Sequence, residues 1–156
     1  MACRYWLFKS EPGAYSYQDL ERDRVAEWDG VRNYQARNML RDDIQEGDGV
    51  LFYHSSTTEL GVVGTATVVR AGYPDHTSWD PNSEHPDPKS TPENPTWYMV
   101  DIKPTGRLAG PVTLARMRAA PELQQMVLLR RGVRLSIQPV TEAEWQMVCH
   151  MGGANP

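Results

Sequence analysis

Three short segments of the chain concentrate side chains that can stack on, or hydrogen-bond to, a planar heterocycle. They are Lys9-Ser10-Glu11-Pro12, the stretch from Trp28 to Gln35, and Tyr53-His54-Ser55. Indole and phenol rings supply stacking worth roughly 1–3 kcal/mol per base, and hydroxyl, amide and backbone groups can recognise the edge of a base. Each segment lies at the end of a predicted strand or helix, where distant residues can converge. This is the chemistry of a pocket for a flipped base, but the residues by themselves leave generic small-molecule or protein binding open as the alternative, and a lone Trp in such a place is more often a packing anchor.

A catalytic site is another use of the same residues. His54 could act as general acid or base with Asp29 or Glu11 as its partner, provided that these groups lie within hydrogen-bonding distance of a substrate. The sequence contains no glycine-rich dinucleotide pattern, phosphate-binding loop, nucleophile elbow or zinc-protease motif. No catalytic residue is therefore predicted, and an enzyme acting on a modified nucleoside or base is the alternative. A third hypothesis is an adaptor whose proline-rich loop binds another protein.

The cysteines and histidines match no known metal site. Cys3 and Cys149 lie at opposite ends of the chain without a Cys-x-x-Cys or Cys/His cluster, so we expect two buried free thiols. His76 and His85 share a loop with several aspartates, where a mixed metal site is conceivable, but their spacing matches no ligand pattern. We therefore predict no metal and no cofactor.

The charge is distributed unevenly along the chain. The formal net charge of −4 argues against indiscriminate coating of nucleic acid, because such binding usually needs a strongly basic surface. Residues 103–140 nevertheless carry seven basic side chains against one acidic, whereas residues 74–95 carry five acidic against one basic. The candidates for phosphate contacts, which would position a nucleic acid without specifying its sequence, are Arg32, Arg37, Arg130 and Arg131. For the last two, a solvated turn is the alternative.

Five segments have the composition of strands. They lie at residues 3–9, 50–55, 61–70, 97–103 and 133–140. They are rich in β-branched and aromatic residues, or alternate apolar with polar side chains, and the second and third are predicted to form a hairpin. Residues 74–95 contain six of the twelve prolines and are predicted to form a long loop, a kind of segment that often has a function.

Capping residues and apolar spacing predict the helices. Ser16 caps a helix that ends near Arg22, Thr113 caps a second, and residues 141–144 form a capping box before a helix over about 142–150. In the stretch after Trp28, apolar residues at positions 36, 39 and 40 define a helix face toward the core. The opposite face carries amide and cationic side chains.

The order of these elements lacks the regular βαβ alternation of a parallel sheet. We therefore predict an α+β fold, a curved, mostly antiparallel β-barrel of five or six strands flanked by helices, as one domain over residues 1–156. The chain has no basic segment followed by a long apolar run at its start, and no stretch of about 18 apolar residues. We expect an intracellular protein without a membrane partner, cytoplasmic in a bacterium and nuclear in a eukaryote.

Several longer motifs resemble one known family. They are YWLFKSEP, WDGVRNYQARN, FYHS, GYPDHT, the arrangement of Asn94 to Asp101, and RLSIQP, in this order and over nearly the whole chain. Together they resemble the EVE domain of the thymocyte nuclear protein family. Ala71-Gly72 departs from that pattern, because a bulkier residue is expected before Tyr73, but no functional position is affected.

The resemblance implies a PUA-like barrel, related to the YTH, ASCH and SRA readers, with a pocket for a modified base in DNA or RNA. It implies that Ser10 and the backbone around Glu11 line the floor and that Trp28 forms an aromatic wall. Residues of the following helix would lie at the mouth of the pocket, and residues 53–55 would close the side of the pocket opposite Trp28. The predicted base-binding residues are Lys9, Ser10, Glu11, Trp28, Asn33, Tyr34, Asn38, Tyr53, His54 and Ser55.

Overall fold

The computed structural model describes residues 3–153. The strands are β1 (Tyr5–Ser10), β2 (Ala26–Glu27), β3 (Gly49–His54), β4 (Gly61–Pro74), β5 (Tyr98–Thr113) and β6 (Ile137–Val140). The α-helices are α1 (Tyr17–Asp23), α2 (Tyr34–Asn38), α3 (Leu114–Ala119) and α4 (Glu142–Met151). A π-helical turn follows α2 at Met39–Asp43, and 3-10 turns lie at His76–Ser78, Pro121–Leu123 and Val127–Leu129. Among these described residues, no helix is long and apolar enough to cross a membrane.

All six strands belong to one sheet in the order β2-β5-β4-β3-β1-β6. The pair β1 and β3 is parallel, and the other neighbours are antiparallel. The predicted α+β class with six mostly antiparallel strands is therefore confirmed. Register shifts along the β4–β5 ladder bend the sheet, because each bulge increases the local twist. Over residues 3–153 the barrel is not closed by pairing, since β2 and β6 are the two edges.

The two faces of the sheet carry separate hydrophobic cores. Along β1, Phe8 belongs to the first core and Leu7 to the second, and along β3 Phe52 and Leu51 divide in the same way. This division follows from the period of two in a strand, where successive side chains point to opposite faces. The first core is covered by α1 and α2, and the second by α3 and α4. The first core is the one that supports the candidate site.

The predicted helix starts are confirmed by their caps. The Ser16 hydroxyl accepts from the amide of Asp19, whose carboxylate accepts from the amide of Ser16, and Thr141 and Glu144 repeat this capping box. The Thr113 hydroxyl accepts the Arg116 amide at the start of α3. Helix α2 is shorter than predicted because the chain widens into the π-helical turn after Asn38.

Two local predictions are wrong. The strand predicted over residues 133–140 begins only at Ile137, because its pairing with β1 ends where Ile137 lies opposite Phe8. The preceding residues form a turn around Gly132, whose φ is +82°. Cys149 is buried as expected, but Cys3 is exposed at the start of the described chain.

Candidate functional site

A cavity of about 840 Å³ opens beside the first core. Its wall consists of the end of β1 with the following loop, the end of α1, the segment from Val25 to Arg32, part of the loop after β4, and Ser136. The volume falls within the range of roughly 300–1,000 Å³ that small-molecule sites occupy. Of the predicted site residues, the lining includes Lys9, Ser10, Glu11, Trp28 and Arg32.

Trp28 lies where the cavity meets the first core. Its half-buried indole packs against the rings of Phe8 and Phe52, with centroid distances of 5.4 and 5.5 Å, and against Tyr15 at 6.1 Å. Its backbone N–H donates to the carbonyl of Val100 over 2.8 Å, which fixes the residue to β5. Trp28 therefore serves as a packing anchor and as a cavity wall at the same time.

The alternation along β1 separates Ser10 from Lys9. Ser10 lies on the same face as Phe8, and its hydroxyl donates to the carbonyl of Tyr15 over 2.5 Å. The Lys9 side chain points to the second core, with Nζ 6.0 Å from the ring centroid of Tyr53. Burial lowers the pKa of Lys9. Lys9 therefore borders the cavity through its main chain, whereas Ser10 presents its side chain.

Asp75 attaches the loop after β4 to the segment after Trp28. Its fully buried carboxylate accepts from the amide of Gly30 over 2.9 Å, from the guanidinium of Arg32 over 3.0 Å, and from the amide and hydroxyl of Thr77. Burial alone would raise the pKa of Asp75, but these hydrogen bonds outweigh it and lower the pKa below its usual range. Residues 77 and 82–85 of this loop thereby form one wall of the cavity.

Arg32 is engaged within the protein. Besides its ion pair with Asp75, its Nη2 donates to the carbonyl of His85 over 2.8 Å, and its guanidinium lies 5.5 Å from the ring centroid of Trp97. The side chain is 23% exposed. These contacts favour a role in positioning the loop, and a contact between Arg32 and a phosphate stays a prediction.

Asp29 and His85 lie side by side in the cavity wall. Gly30 has a φ of +79°, and a Cβ at this position would lie 2.8 Å from the His85 ring, so glycine allows the imidazole to pack on the chain. The buried His85 Nε2 lies 3.5 Å from a carboxylate oxygen of Asp29 and has no hydrogen-bond partner among residues 3–153. Burial raises the pKa of Asp29. In the same residues, no cluster of three or more His, Cys, Asp or Glu could hold a metal ion.

The predicted residues of α2 and its cap lie outside the cavity lining. They are Asn33, Tyr34, Arg37 and Asn38. The Asn33 side chain caps α2, and the Arg37 guanidinium donates to Asn38 and to a backbone carbonyl before β5. Tyr34 is 62% exposed and stacks on Trp97 at 4.9 Å. Because Trp97 also contacts Arg32, which lines the cavity, this surface continues from the cavity edge.

The segment Tyr53-His54-Ser55 also lies outside the cavity lining. Tyr53 is buried in the second core, on the opposite face of the sheet, and the Ser55 amide donates to the carbonyl of Ser10. His54 Nε2 accepts a hydrogen bond from the amide of Tyr17 over 3.1 Å. Burial, followed by the nearby charge of Arg107, lowers the pKa of His54. The Nε2 lone pair of His54 is thus engaged within the protein, and the acid or base role considered for His54 stays a hypothesis.

This arrangement predicts that His54 makes stability depend on pH. Its pKa is lowered on folding, so its contribution is present above the ordinary histidine pKa of about 6.5 and is lost as pH falls through the folded pKa. We expect His54→Gln, which keeps an acceptor for the Tyr17 amide and does not titrate, to flatten the fall in unfolding free energy below about pH 6.5. Denaturant unfolding at several pH values measures this, with the exposed His150→Gln as control. Equal slopes in wild type and His54→Gln would contradict it.

Arg130 and Arg131 are exposed in the turn before β6 and do not line the cavity. Arg130 donates to the carbonyl of Gln125 over 3.4 Å. The structure thus places the pair on a solvated turn, the alternative considered for it. Contact with a phosphate stays a prediction for both residues.

Several lining residues carry no sequence signal of their own. They are Tyr15, Asp23, Glu27, Ser136 and residues 82–85. Tyr15 donates to the carboxylate of Asp23 over 2.9 Å, so these two residues close the cavity beside α1. The proline-rich composition of residues 74–95 was the one available signal for the last group, because it predicted a functional loop without saying where the loop packs.

The open six-stranded sheet with its flanking helices and the aromatic-lined cavity define an α+β module. A family model described as EVE domain matches residues 4–151, and the chain belongs to this family. It is 37% identical to human Thymocyte nuclear protein 1, over 97% of this chain and 75% of that protein. A solved hypothetical protein from Leishmania major is 46% identical with a TM-score of 0.92, covering 97% of this chain and 95% of that chain. The human THYN1 protein, solved in complex with DNA containing 5-methylcytosine, is 38% identical with a TM-score of 0.88, covering 98% and 99%.

Proposed function

We propose that this protein is a non-catalytic reader of a modified base in DNA or RNA, which it takes out of the base stack into the cavity beside Trp28. The observation that carries the proposal is the half-buried indole of Trp28. The rings of Phe8, Phe52 and Tyr15 fix one part of it, and the rest lines the cavity. A ring held in this way can stack on a base without losing further side-chain entropy. The similar human THYN1 complex makes 5-methylcytosine the first candidate ligand.

The surface beside the cavity supports contacts to the neighbouring nucleotides. The exposed ring of Tyr34 is held against Trp97, and Arg37 lies 5.1 Å from its centroid, so a stacking ring and a cation stand together. Asn33 and Asn38 flank this ring on α2. We assign the flanking bases to Tyr34 and the phosphates to Arg37, with Arg130 and Arg131 as more distant candidates. Phosphate contacts of this kind would position the strand, while the cavity would select the base.

A binding screen tests the proposal. Oligonucleotides that differ in one central base, carrying methylated and oxidised bases in DNA and in RNA, single- and double-stranded, are titrated at one stated salt concentration. We expect at least one modified base to bind more tightly than its unmodified parent in the same sequence. Equal affinity for every modified and unmodified pair would contradict the proposal.

We predict that binding weakens with salt, but with a shallow slope. Each phosphate contact contributes about 0.9 to the logarithmic slope on duplex DNA, and with Arg32 engaged internally the remaining three candidates give a slope below about 3. The net charge of −4 also disfavours additional phosphate contacts. Fluorescence anisotropy between about 50 and 200 mM salt measures the slope. Arg37→Gln should weaken modified and unmodified oligonucleotides equally. A slope of many units without base preference would instead indicate a general polyanion binder.

The domain organisation and the location extend the same proposal. We propose that residues 1–156 act as one domain. The relative's name, Thymocyte nuclear protein 1, supports a nuclear location in a eukaryotic host, and in a bacterial host we propose the cytoplasm. Imaging of a fluorescent fusion in the native host tests the location.

A further inference from the structure

The carboxylates of the cavity differ in how they are engaged. Those in the lining are Glu11, Asp23, Glu27, Asp29 and Glu84. Asp23 accepts from Tyr15 and Arg22, Glu27 contacts His76 and Tyr73, and Glu11 accepts from Ser56. Among residues 3–153, Glu84 accepts no side-chain hydrogen bond, and the Asp29 carboxylate has only the His85 Nε2 beside it, at 3.5 Å. Of these two, Asp29 directly follows Trp28 and has a side chain that is 38% exposed, whereas Glu84 lies on the exposed loop.

The Asp29 carboxylate is partly covered, and its nearest side-chain donor, His85 Nε2, lies 3.5 Å away. That distance is too long for a strong hydrogen bond, so the hydration that the carboxylate loses is only partly replaced. The positive φ of Gly30 and the packing of His85 on that glycine hold Asp29 in place. The carboxylate is therefore an incompletely satisfied acceptor in the cavity wall next to the indole. A ligand that presents an N–H donor to it would supply the missing hydrogen bond.

We propose that Asp29 is a specificity-determining residue that accepts a hydrogen bond from the exocyclic amino group of the bound base, so that the cavity selects an amino edge over a keto edge. The inference rests on the proposed function. Cytosine presents an N4 amino donor beside the N3 acceptor, and acidic side chains are the usual partners of that amino group. Thymine and uracil present a carbonyl oxygen at the same place, which a carboxylate repels.

Binding of four pyrimidines tests this inference independently of the proposed function. 5-Methylcytosine, cytosine, thymine and uracil combine the presence or absence of the 5-methyl group with an amino or a keto group at C4. Each is placed opposite an abasic site in the same duplex, so that no base pair has to be broken for any of them. Affinities are measured by anisotropy for wild type, Asp29→Asn and Asp80→Asn. The Asp80 variant is the matched control, because it removes the same charge by the same substitution from an exposed carboxylate outside the cavity lining.

We expect wild type to prefer the amino base of each pair by on the order of 10- to 100-fold. In Asp29→Asn, whose amide can accept or donate, that preference should fall to within a few-fold, while any preference for the methyl group is kept. Asp80→Asn should retain both preferences. Thermal melting of each variant shows whether it is folded, and Asp29→Ala provides a second variant, which has no side-chain acceptor at all.

The outcomes are distinct. An amino preference that persists in folded Asp29→Asn and Asp29→Ala overturns the inference, as does a wild type that binds amino and keto bases equally. If wild type prefers amino bases but ignores the methyl group, the Asp29 inference stands and 5-methylcytosine is not the modified base. If none of the four oligonucleotides binds, both the inference and the assignment of the cavity to a pyrimidine base are wrong.

Discussion

Replacing Trp28 with Leu is expected to lower the affinity for the modified base by about one to two decades while leaving weak, salt-sensitive binding. The loss corresponds to roughly 1–3 kcal/mol of stacking on the indole. Leu is preferred to Ala because the indole also packs against Phe8, Phe52 and Tyr15. Truncation to Ala at a packed aromatic site would remove about 3–5 kcal/mol of stability and confuse binding with unfolding.

Unfolding free energy and affinity should be measured on the same Trp28→Leu preparation. The matched control is Trp145→Leu, which removes an indole from the second core, where it stacks on Tyr5 on the other face of the sheet. The control should lose stability and keep its preference for the modified base. If a folded Trp28→Leu protein still discriminates the modified from the unmodified base, Trp28 is not part of the binding site.

Asp75→Ala is expected to have the largest effect on stability, at about 3–5 kcal/mol, because it leaves the Arg32 charge without its partner. The substitution also removes the acceptor for the amides of Gly30 and Thr77. The loop wall of the cavity then loses its attachment to the segment after Trp28. Base selectivity should fall together with stability, even though Asp75 is fully buried and does not line the cavity.

Denaturant unfolding of wild type and Asp75→Ala measures this effect. The control is Asp80→Ala in the same loop, an exposed carboxylate bonded to the local amide of Asn82, which should change stability by no more than about 0.5 kcal/mol. The pKa of Asp75 is lowered on folding, so its contribution is present above the ordinary aspartate pKa of about 3.9 and lost as pH falls through the folded value. The difference in unfolding free energy between wild type and Asp75→Ala should therefore become smaller at acidic pH. If this difference does not change with pH, or if Asp75→Ala loses only as much stability as Asp80→Ala, the ion pair between Arg32 and Asp75 does not hold the loop.

The local elements follow closely from local sequence. The caps at Ser16, Thr113 and Thr141 begin helices at the expected residues, because a hydroxyl oxygen three residues before a free amide is enough to fix a helix start. The strand at residues 133–140 fails for the opposite reason. Alternation of apolar and polar residues permits a strand, but a strand forms only where a partner pairs with it. The pairing with β1 ends where Ile137 lies opposite Phe8.

The site residues likewise fall into those that the local sequence predicts and those that it places wrongly. Ser10, Glu11 and Trp28 could be predicted, because they come at element ends in motifs that resemble the EVE domain, and all three line the cavity. Tyr53 and Lys9 show where a motif alone is insufficient. Each is one residue away from a first-core phenylalanine, and the strand period sends both side chains to the opposite face.

The sequence by itself determined the helix starts and most of the strands, since each depends on neighbours within a few positions. It also indicated the family and the aromatic residue in the cavity wall, because these are carried by motifs of the sequence. The tertiary structure alone decided which groups complete the cavity. Asp75 accepts a hydrogen bond from Gly30, which lies 45 positions away in the sequence, and this contact positions the proline-rich loop as part of the cavity wall. His85 reaches Asp29 only through that loop. A contact of this kind depends on how the whole sheet bends, and no local pattern of residue types encodes it.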